Sequence, residues 1–295
     1  MLHTSLYFLA LLCLSSAPNW AKLNQMPVEV LGFYRLSIAA LLLVLWLVIQ
    51  HRITKPKFNK NILWAILSGV FFFLHLWTYK YAAKNTTISN TMVIFSSNPI
   101  WASLGAVVFF KELISRRIIF AYLLALFGVY LLVAHDLNMS SGTKLGDLAA
   151  VASAALYAAY MLAGKKARHY YDNIDYAVIQ YSVAALLFGV CVLINKSQLS
   201  GYDSISWVAV MGLVLLPTLL GHLSFTYLVQ HMNISLMTCG KQLEPVLASI
   251  MAFFIFHEKI SEYAWTSFSL TFLSVVILFY PQLKSSAKKL LQIHK

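Results

Sequence analysis

The sequence predicts an all-α polytopic membrane protein with ten transmembrane helices in two inverted five-helix halves. Three observations predict this fold class. The 295 residues are 60% hydrophobic and only 11% charged, with a mean hydropathy of +0.73, too apolar for a soluble domain of this length. Apolar runs long enough to cross a bilayer recur along the whole chain. The two halves also repeat the same residue patterns.

Taken in order, the runs place helices at about 4–22, 28–50, 61–82, 88–110, 117–134, 146–163, 174–194, 205–229, 234–256 and 263–281. The first run could be read as a cleaved signal peptide. It has no Lys or Arg n-region, only His3, and the repeat needs it as its first helix, so it is expected to stay in place. Connections are short, and only the basic stretch 284–295 extends past the last span, as a tail at the membrane surface. Lys and Arg favour one set of loops: Arg52, Lys55, Lys57, Lys60, Arg116, Arg117, Lys165, Lys166, Arg168, Lys284, Lys288, Lys289 and Lys295. The other set holds Lys22, Lys80, Lys84, Lys144, Lys196 and Lys259, fewer than half as many. Both termini are therefore expected on the cytoplasmic side of a bacterial-type inner membrane.

The formal charge of +12 is thereby mostly a topology signal. No basic face with readable polar neighbours marks a nucleic-acid partner. Cys13, Cys191 and Cys239 lie far apart inside apolar runs and show neither metal-ligand spacing nor a disulfide framework.

The repeat is the most informative pattern. Asn98-Pro99-Ile100-Trp101-Ala102-Ser103, continuing to Phe110-Lys111-Glu112-Leu113-Ile114-Ser115, matches Glu244-Pro245-Val246-Leu247-Ala248-Ser249, continuing to Phe256-His257-Glu258-Lys259-Ile260-Ser261. Ile88-Ser89 matches Ile234-Ser235, and the stretch from Ser37 to Leu42 matches that from Ser182 to Leu187. Five helices per half force the second copy to enter from the opposite side. The halves divide the chain into 1–138, 139–283 and the tail 284–295.

These residues resemble the drug/metabolite transporter superfamily, specifically its ten-helix EamA-like members, over nearly the whole chain. In that family helices 4 and 9 carry a polar residue and a proline near mid-helix, then small residues and a terminal Glu, as both halves do here. The resemblance implies a bundle with a central cavity that opens alternately to either face. It departs in helix 1, where the family often has Trp-Gly and this chain has Leu14-Ser15 ahead of Pro18-Asn19-Trp20.

The candidate site centres on Gly240-Lys241-Gln242-Leu243-Glu244-Pro245, inside an apolar run. A charge at a spanning helix centre costs roughly 2.5 to 3.5 kcal/mol on insertion scales, so this face must turn inward to a partner, water or substrate. Lys241 and Glu244, three apart, share one helical face and either pair silently or face substrate. A carboxylate balanced between burial and a neighbouring ammonium can load and release a proton, which makes Glu244 the candidate proton-coupling group. Pro99 and Pro245, with Gly240, are hinge candidates, because proline removes a backbone hydrogen bond and favours a kink. The remaining candidate substrate contacts are Arg35 with its approximate repeat mate Gln180, the near-matched His75 and His222, the deep tyrosines Tyr157, Tyr160 and Tyr181, and the amides Asn19 and Asn98. Against them stand plain readings: Arg35 snorkelling to an interface, the histidines as packing, the aromatics as interface belt. Trp20, Tyr79 and Tyr81 fall near helix ends, where belts occur. Glu112 and Glu258 read as structural, complementing the starts of helices 5 and 10 that Ser115 and Ser261 cap. The stripe Gly146, Ala150, Ala154 and Ala158 reads as a close-packing face.

No metal set, P-loop or other cofactor motif is present, and no enzyme motif either. The sequence therefore predicts a secondary transporter, moving a small polar or zwitterionic metabolite such as an amino acid, with protons and membrane lipid as its other partners. The resemblance makes export the expected direction. An intramembrane enzyme acting on a lipid-linked substrate, and a non-transporting receptor or subunit, are the alternatives. Oligomeric state and substrate identity are not legible.

Overall fold

The computed structural model describes residues 2–51, 60–85, 91, 94–137, 144–257 and 262–293. Among them every regular element is helical, and ten passes are traced. They are α1 (Leu2–Ser15 and Ala17–Lys22), α2 (Val28–Ile49), α3 (Ile62–Asn85), α4 (Asn98–Phe110) and α5 (Arg116–Leu137). The second half supplies α6 (Lys144–Ala167), α7 (Asn173–Asn195), α8 (Ser204–Leu228), α9 (Ile234–Phe256) and α10 (Glu262–Ile293). By length and composition six of these, α2, α3, α6, α7, α8 and α9, are each long and apolar enough to cross a membrane.

Three helices depart from simple spans in ways the sequence did not show. α1 breaks at Ser16, where Pro18 enters the first turn of the second piece, a position that needs no amide hydrogen. α8 widens into a π-helix over Val214–His222 around Pro217. α10 runs on to Ile293, so the stretch from 284 to 293 continues the last helix rather than projecting as a separate tail.

The packing pairs obey the repeat. α3 lies on α6 and α8 on α1; α4 lies on α6 and α9 on α1. α2 with α7, α5 with α10, and α4 with α9 each join a helix to its own mate. The helix ends repeat as well: Lys111 and His257 terminate α4 and α9 in left-handed conformation at φ 54 and 55. His51 and Lys196 do the same just past α2 and α7, at φ 51 and 52. Non-glycine residues seldom adopt this region, so two pairs at repeat spacings that agree to within one residue are a structural trace of the duplication.

In lipid, apolar surface on both sides of a helix gives no inside-outside preference, so inner faces are chosen by small and polar residues that allow close approach. Ala10, Ala39, Ala65, Ala102, Ala106 and Ala121 are fully buried, while Leu41, Leu45, Trp46, Phe109, Leu186 and Phe272 are exposed on the outer surface. The small stripe on α6 behaves as expected: Gly146, Ala150, Ala154 and Ala158 are buried, and α3 packs along α6. Further down α6, Gly164 leaves no room for a Cβ, which would collide with the Tyr176 hydroxyl.

One end of the bundle gathers the start of α1, the 111–115 and 168–172 connections and the turn before α9; Arg116, Lys165, Lys166 and Arg168 make it the basic end. There Glu112 pairs with Lys165 and also accepts the Ile234 amide at 3.0 Å. The carboxylate thus complements a helix N-terminus, but that of α9 and not of α5. Ser115 does cap α5, its hydroxyl accepting the Ile118 amide at 3.3 Å. Gln230 donates to the Lys165 carbonyl at 2.6 Å, and Arg168 Nε to the Thr226 carbonyl at 3.3 Å. His3 stacks on His231 beside them, and Tyr227 packs against both rings. At the opposite end Glu29 accepts from Asn195 and Ser197, tying α2 to the end of α7. The repeat partners Glu258 and Ser261, the Ile88-Ser89 match, and the loop residues Arg52, Lys55, Lys57 and Lys259 lie outside the described residues.

Candidate functional site

The site begins with two broken helices. α9 is α-helical over Ile234–Gly240, tightens to a 3₁₀ turn at Lys241–Leu243, and restarts at Glu244 with Pro245 in its first turn. α4 shows the same break, with a turn at Ser96 and Ser97 before helix resumes at Asn98 with Pro99. Each proline lacks the amide that would have continued the hydrogen-bond ladder, and each helix restarts around it. Gly240 sits at the break, where a Cβ would lie 2.5 Å from the Tyr7 hydroxyl. That hydroxyl donates to the Met237 carbonyl at 2.8 Å, beside the interrupted turn.

The two breaks face one another. Gln242 Nε2 donates to the Ser96 carbonyl at 3.1 Å, and these two residues are repeat equivalents at the spacing that pairs Pro99 with Pro245. The axis relating the halves therefore passes close to this hydrogen bond. Around it the halves differ chemically. Lys241 and Glu244 form an ion pair on α9, with side-chain exposures of 8% and 22%. Their mates on α4 are Phe95 and Asn98. The Lys241 ammonium lies 5.7 Å from the Phe95 ring centroid and 4.8 Å from that of Tyr157. A cation over aromatic faces gains about 0.5 to 2 kcal/mol, more as water is excluded. Asn98 donates to the Phe95 carbonyl at 3.2 Å, while its own Oδ1 and the Tyr157 hydroxyl are buried without a hydrogen-bond partner. Buried polar atoms are normally satisfied, so these two mark where a bound molecule or water would bond.

From the ion pair an aromatic wall extends. His75 stacks on Phe95 at 5.4 Å and meets Tyr157 edge-on at 5.2 Å. Tyr157 meets Tyr160 at 5.0 Å, and Phe72 joins Tyr160 to His222, each at 5.1 Å. The Ser153 hydroxyl donates to the His75 carbonyl at 3.1 Å. Its oxygen is then the acceptor for His75 Nδ1 at 2.9 Å, which assigns the proton to Nδ1 and leaves Nε2 as the acceptor nitrogen.

At the far end of the wall, the π-helical segment of α8 creates a polar point. Pro217 has no amide to donate, and the Thr218 hydroxyl takes the Leu213 carbonyl, five residues back, at 2.7 Å. The same hydroxyl accepts Arg35 Nε at 2.7 Å, and the Tyr181 hydroxyl donates to the Thr218 carbonyl at 3.2 Å. Arg35 is 9% exposed and reaches into the bundle rather than snorkelling to an interface.

Nine predicted contacts thus come together: Lys241, Glu244, Asn98, His75, His222, Tyr157, Tyr160, Tyr181 and Arg35. Two do not join them. Asn19 donates to the Ala248 carbonyl at 3.2 Å and ties α1 to α9. Gln180 donates to Ser68 Oγ at 3.1 Å, in a network with the Tyr176 hydroxyl that bonds to the wall, among the described residues, only through the Tyr160 backbone carbonyl. Tyr79, expected in an interface belt, instead packs on Phe95 at 5.3 Å and belongs to the wall. Trp20 lies under Gly212, whose Cβ would fall 2.5 Å from its ring. Sequence reasoning missed Tyr7, Phe72, Phe95 and Thr218. Of these only Phe95 carried a signal, as the repeat mate of Lys241.

Known proteins resemble this arrangement at the level of sequence family and fold. A solved crystal structure superposes with a TM-score of 0.79 at 16% identity, over 93% of this chain and 95% of the other, which establishes the shared fold. No curated protein matches the chain by sequence. The sequence profile of the EamA-like transporter family matches residues 3–134 and again 144–280, one match for each five-helix half. With apolar spanning helices, two related halves and a profile match over both, the chain is an integral membrane protein that belongs to the EamA-like transporter family.

Proposed function

We propose that the chain is a secondary transporter that exports a small polar metabolite, amino-acid-like in size and polarity, by alternating access, with Glu244 as its proton-coupling group. The observation that carries this reading is the position of the Lys241–Glu244 pair. It sits at the axis between the halves, against an aromatic wall and two unsatisfied polar atoms. A site on the axis is equally placed with respect to both faces, as alternating access requires. The described conformation is tight at the basic end: every residue from Ile234 to Leu243 is buried, and Glu112, Lys165 and the Ile234 amide close over it. Toward the opposite end the inner residues Leu76, Trp77, Leu247 and Ile250 are only half-buried. Opening at the basic end means separating Glu112 from Lys165 and swinging the first part of α9 about the Lys241–Leu243 turn.

Two measurements test this reading. Purified chain in liposomes is expected to exchange a radiolabelled small metabolite, screened across amino acids, amines and nucleosides. Pro245→Ala is expected to slow that exchange several-fold while binding changes little, because a continuous helix resists bending. No exchange of any class, or equal loss of binding and exchange in Pro245→Ala, counts against the reading. Orientation is tested separately. Leu113, 89% exposed in the basic-end loop, is expected as Leu113→Cys to react with a membrane-impermeant thiol reagent only from the cytoplasm. Labelling from outside intact cells would reverse the topology.

A further inference from the structure

Arg35 is not accounted for by the ion pair at the axis. α2 carries it about two turns inward from Glu29, and Thr218 on the π-helical segment holds its Nε at 2.7 Å. The threonine hydroxyl is itself oriented by its donation to the Leu213 carbonyl. The guanidinium is thereby fixed through one nitrogen, and its two terminal amino groups donate to no described residue. No carboxylate among the described residues pairs with it. The nearest in sequence, Glu29, is bonded to Asn195 and Ser197 at the end of α7.

The sum of charges points the same way. Away from helix ends, the described interior holds three charged side chains: Lys241 and Glu244 cancel, and Arg35 remains. A guanidinium this buried without a counter-charge is strongly unfavourable, and a protein retains one where an anion completes it. The planar fork of its terminal nitrogens matches a carboxylate or phosphate. Tyr181 flanks the same threonine, and Tyr160 and His222 lie within electrostatic reach of the guanidinium.

We infer that Arg35 is an oxyanion-binding residue, and that the transported metabolite carries a carboxylate or phosphate whose negative charge completes the site there. The inference rests on the transporter reading and narrows its substrate class from polar to anionic. Its body would lie along Tyr160, Phe72 and His222, with any second polar group toward Tyr157, Asn98 and the Lys241–Glu244 pair.

The test uses matched pairs that differ in charge more than in shape, the second member lacking any carboxylate or phosphate: lactate and lactamide, succinate and succinamide, glycerol 3-phosphate and glycerol. Each is added at millimolar concentration and equal ionic strength to the purified full chain, and the thermal midpoint is read. Wild type is expected to be stabilised more by at least one acidic member than by its neutral partner. The succinate and glycerol phosphate arms separate a carboxylate from a phosphate. Arg35→Gln is expected to abolish that preference and to weaken the acidic compound by about thirtyfold or more, as for other truncated buried charge contacts. Arg35→Lys keeps the charge and loses the fork, so it tests the same point if Arg35→Gln folds poorly; it is expected to lose most of the preference.

Neutral members stabilising as well as acids, no shift with any acid, or an acid preference that survives both variants would overturn the inference. Failure of the parent reading looks different. Arg35-dependent stabilisation without flux in liposomes would leave the anion site standing and remove the transporter. Flux of neutral compounds untouched by Arg35→Gln would do the reverse.

Discussion

Glu244→Gln is expected to uncouple the protein: exchange of substrate across liposomes continues, while accumulation driven by a pH gradient disappears. One proton moved per substrate across a one-unit gradient supports up to about tenfold accumulation, since one pH unit is worth about 1.36 kcal/mol. The variant should show a ratio near one under the same gradient. The reason is positional. Among the described residues Glu29, Glu112, Asp147, Asp172, Asp175 and Asp203 all sit at helix ends, whereas Glu244 stands at the break in the middle of α9. Gln has the same shape and still accepts from Lys241, but it cannot bind and release a proton at working pH. An unchanged pH dependence in this variant would end the coupling assignment, even if transport itself were normal.

Lys241→Met is expected to lower the thermal midpoint sharply, and the double variant Lys241→Met with Glu244→Gln to recover most of the loss. Breaking a buried ion pair from one side costs about 3 to 5 kcal/mol, chiefly through the charge left behind. The 22% exposure of Glu244 moves the expectation toward the lower end. The ammonium's contacts with Tyr157 and Phe95 add about 0.5 to 2 kcal/mol that the double variant cannot restore. Thermal unfolding of both single variants, the double and wild type closes the cycle. Strictly additive losses would mean that the two side chains do not stabilise one another.

Most of the architecture was legible because it is written locally. Ten apolar runs stand out from their polar connections by length, and their ends fall within a few residues of the observed helices wherever those are described, except at the end of α10, which runs on from the expected 281 to Ile293. The repeat was legible because Asn98-Pro99 and Glu244-Pro245 recur with their flanking residues. The matched breaks at Ser96 and Gln242, and the left-handed ends at Lys111 and His257, are its structural counterparts. Position along each helix was legible too, which is why nine of the polar and aromatic candidates lie close together.

Direction around each helix was not legible. Where every face is apolar, periodicity carries little information about which side turns inward. Asn19 and Gln180 lie as deep as the site residues, yet each is bonded elsewhere, to Ala248 and Ser68. Phe72 looks in the sequence like any of the other phenylalanines. The sequence reading did not reach the π-helix around Pro217 in α8. Whether a proline yields a kink or a π-helix depends on what takes the orphaned carbonyl. Here that group is Thr218, held in turn by Arg35 from 183 positions away. By itself the sequence determined the succession of apolar helices, the duplication and the position of each charge along its helix, because these follow from the local order of residues. Only the tertiary structure decided which charges meet, since that is settled by the rotation of packed helices: Lys241 closes on Glu244 and on two aromatic rings, and Arg35 is left with a threonine and an open fork.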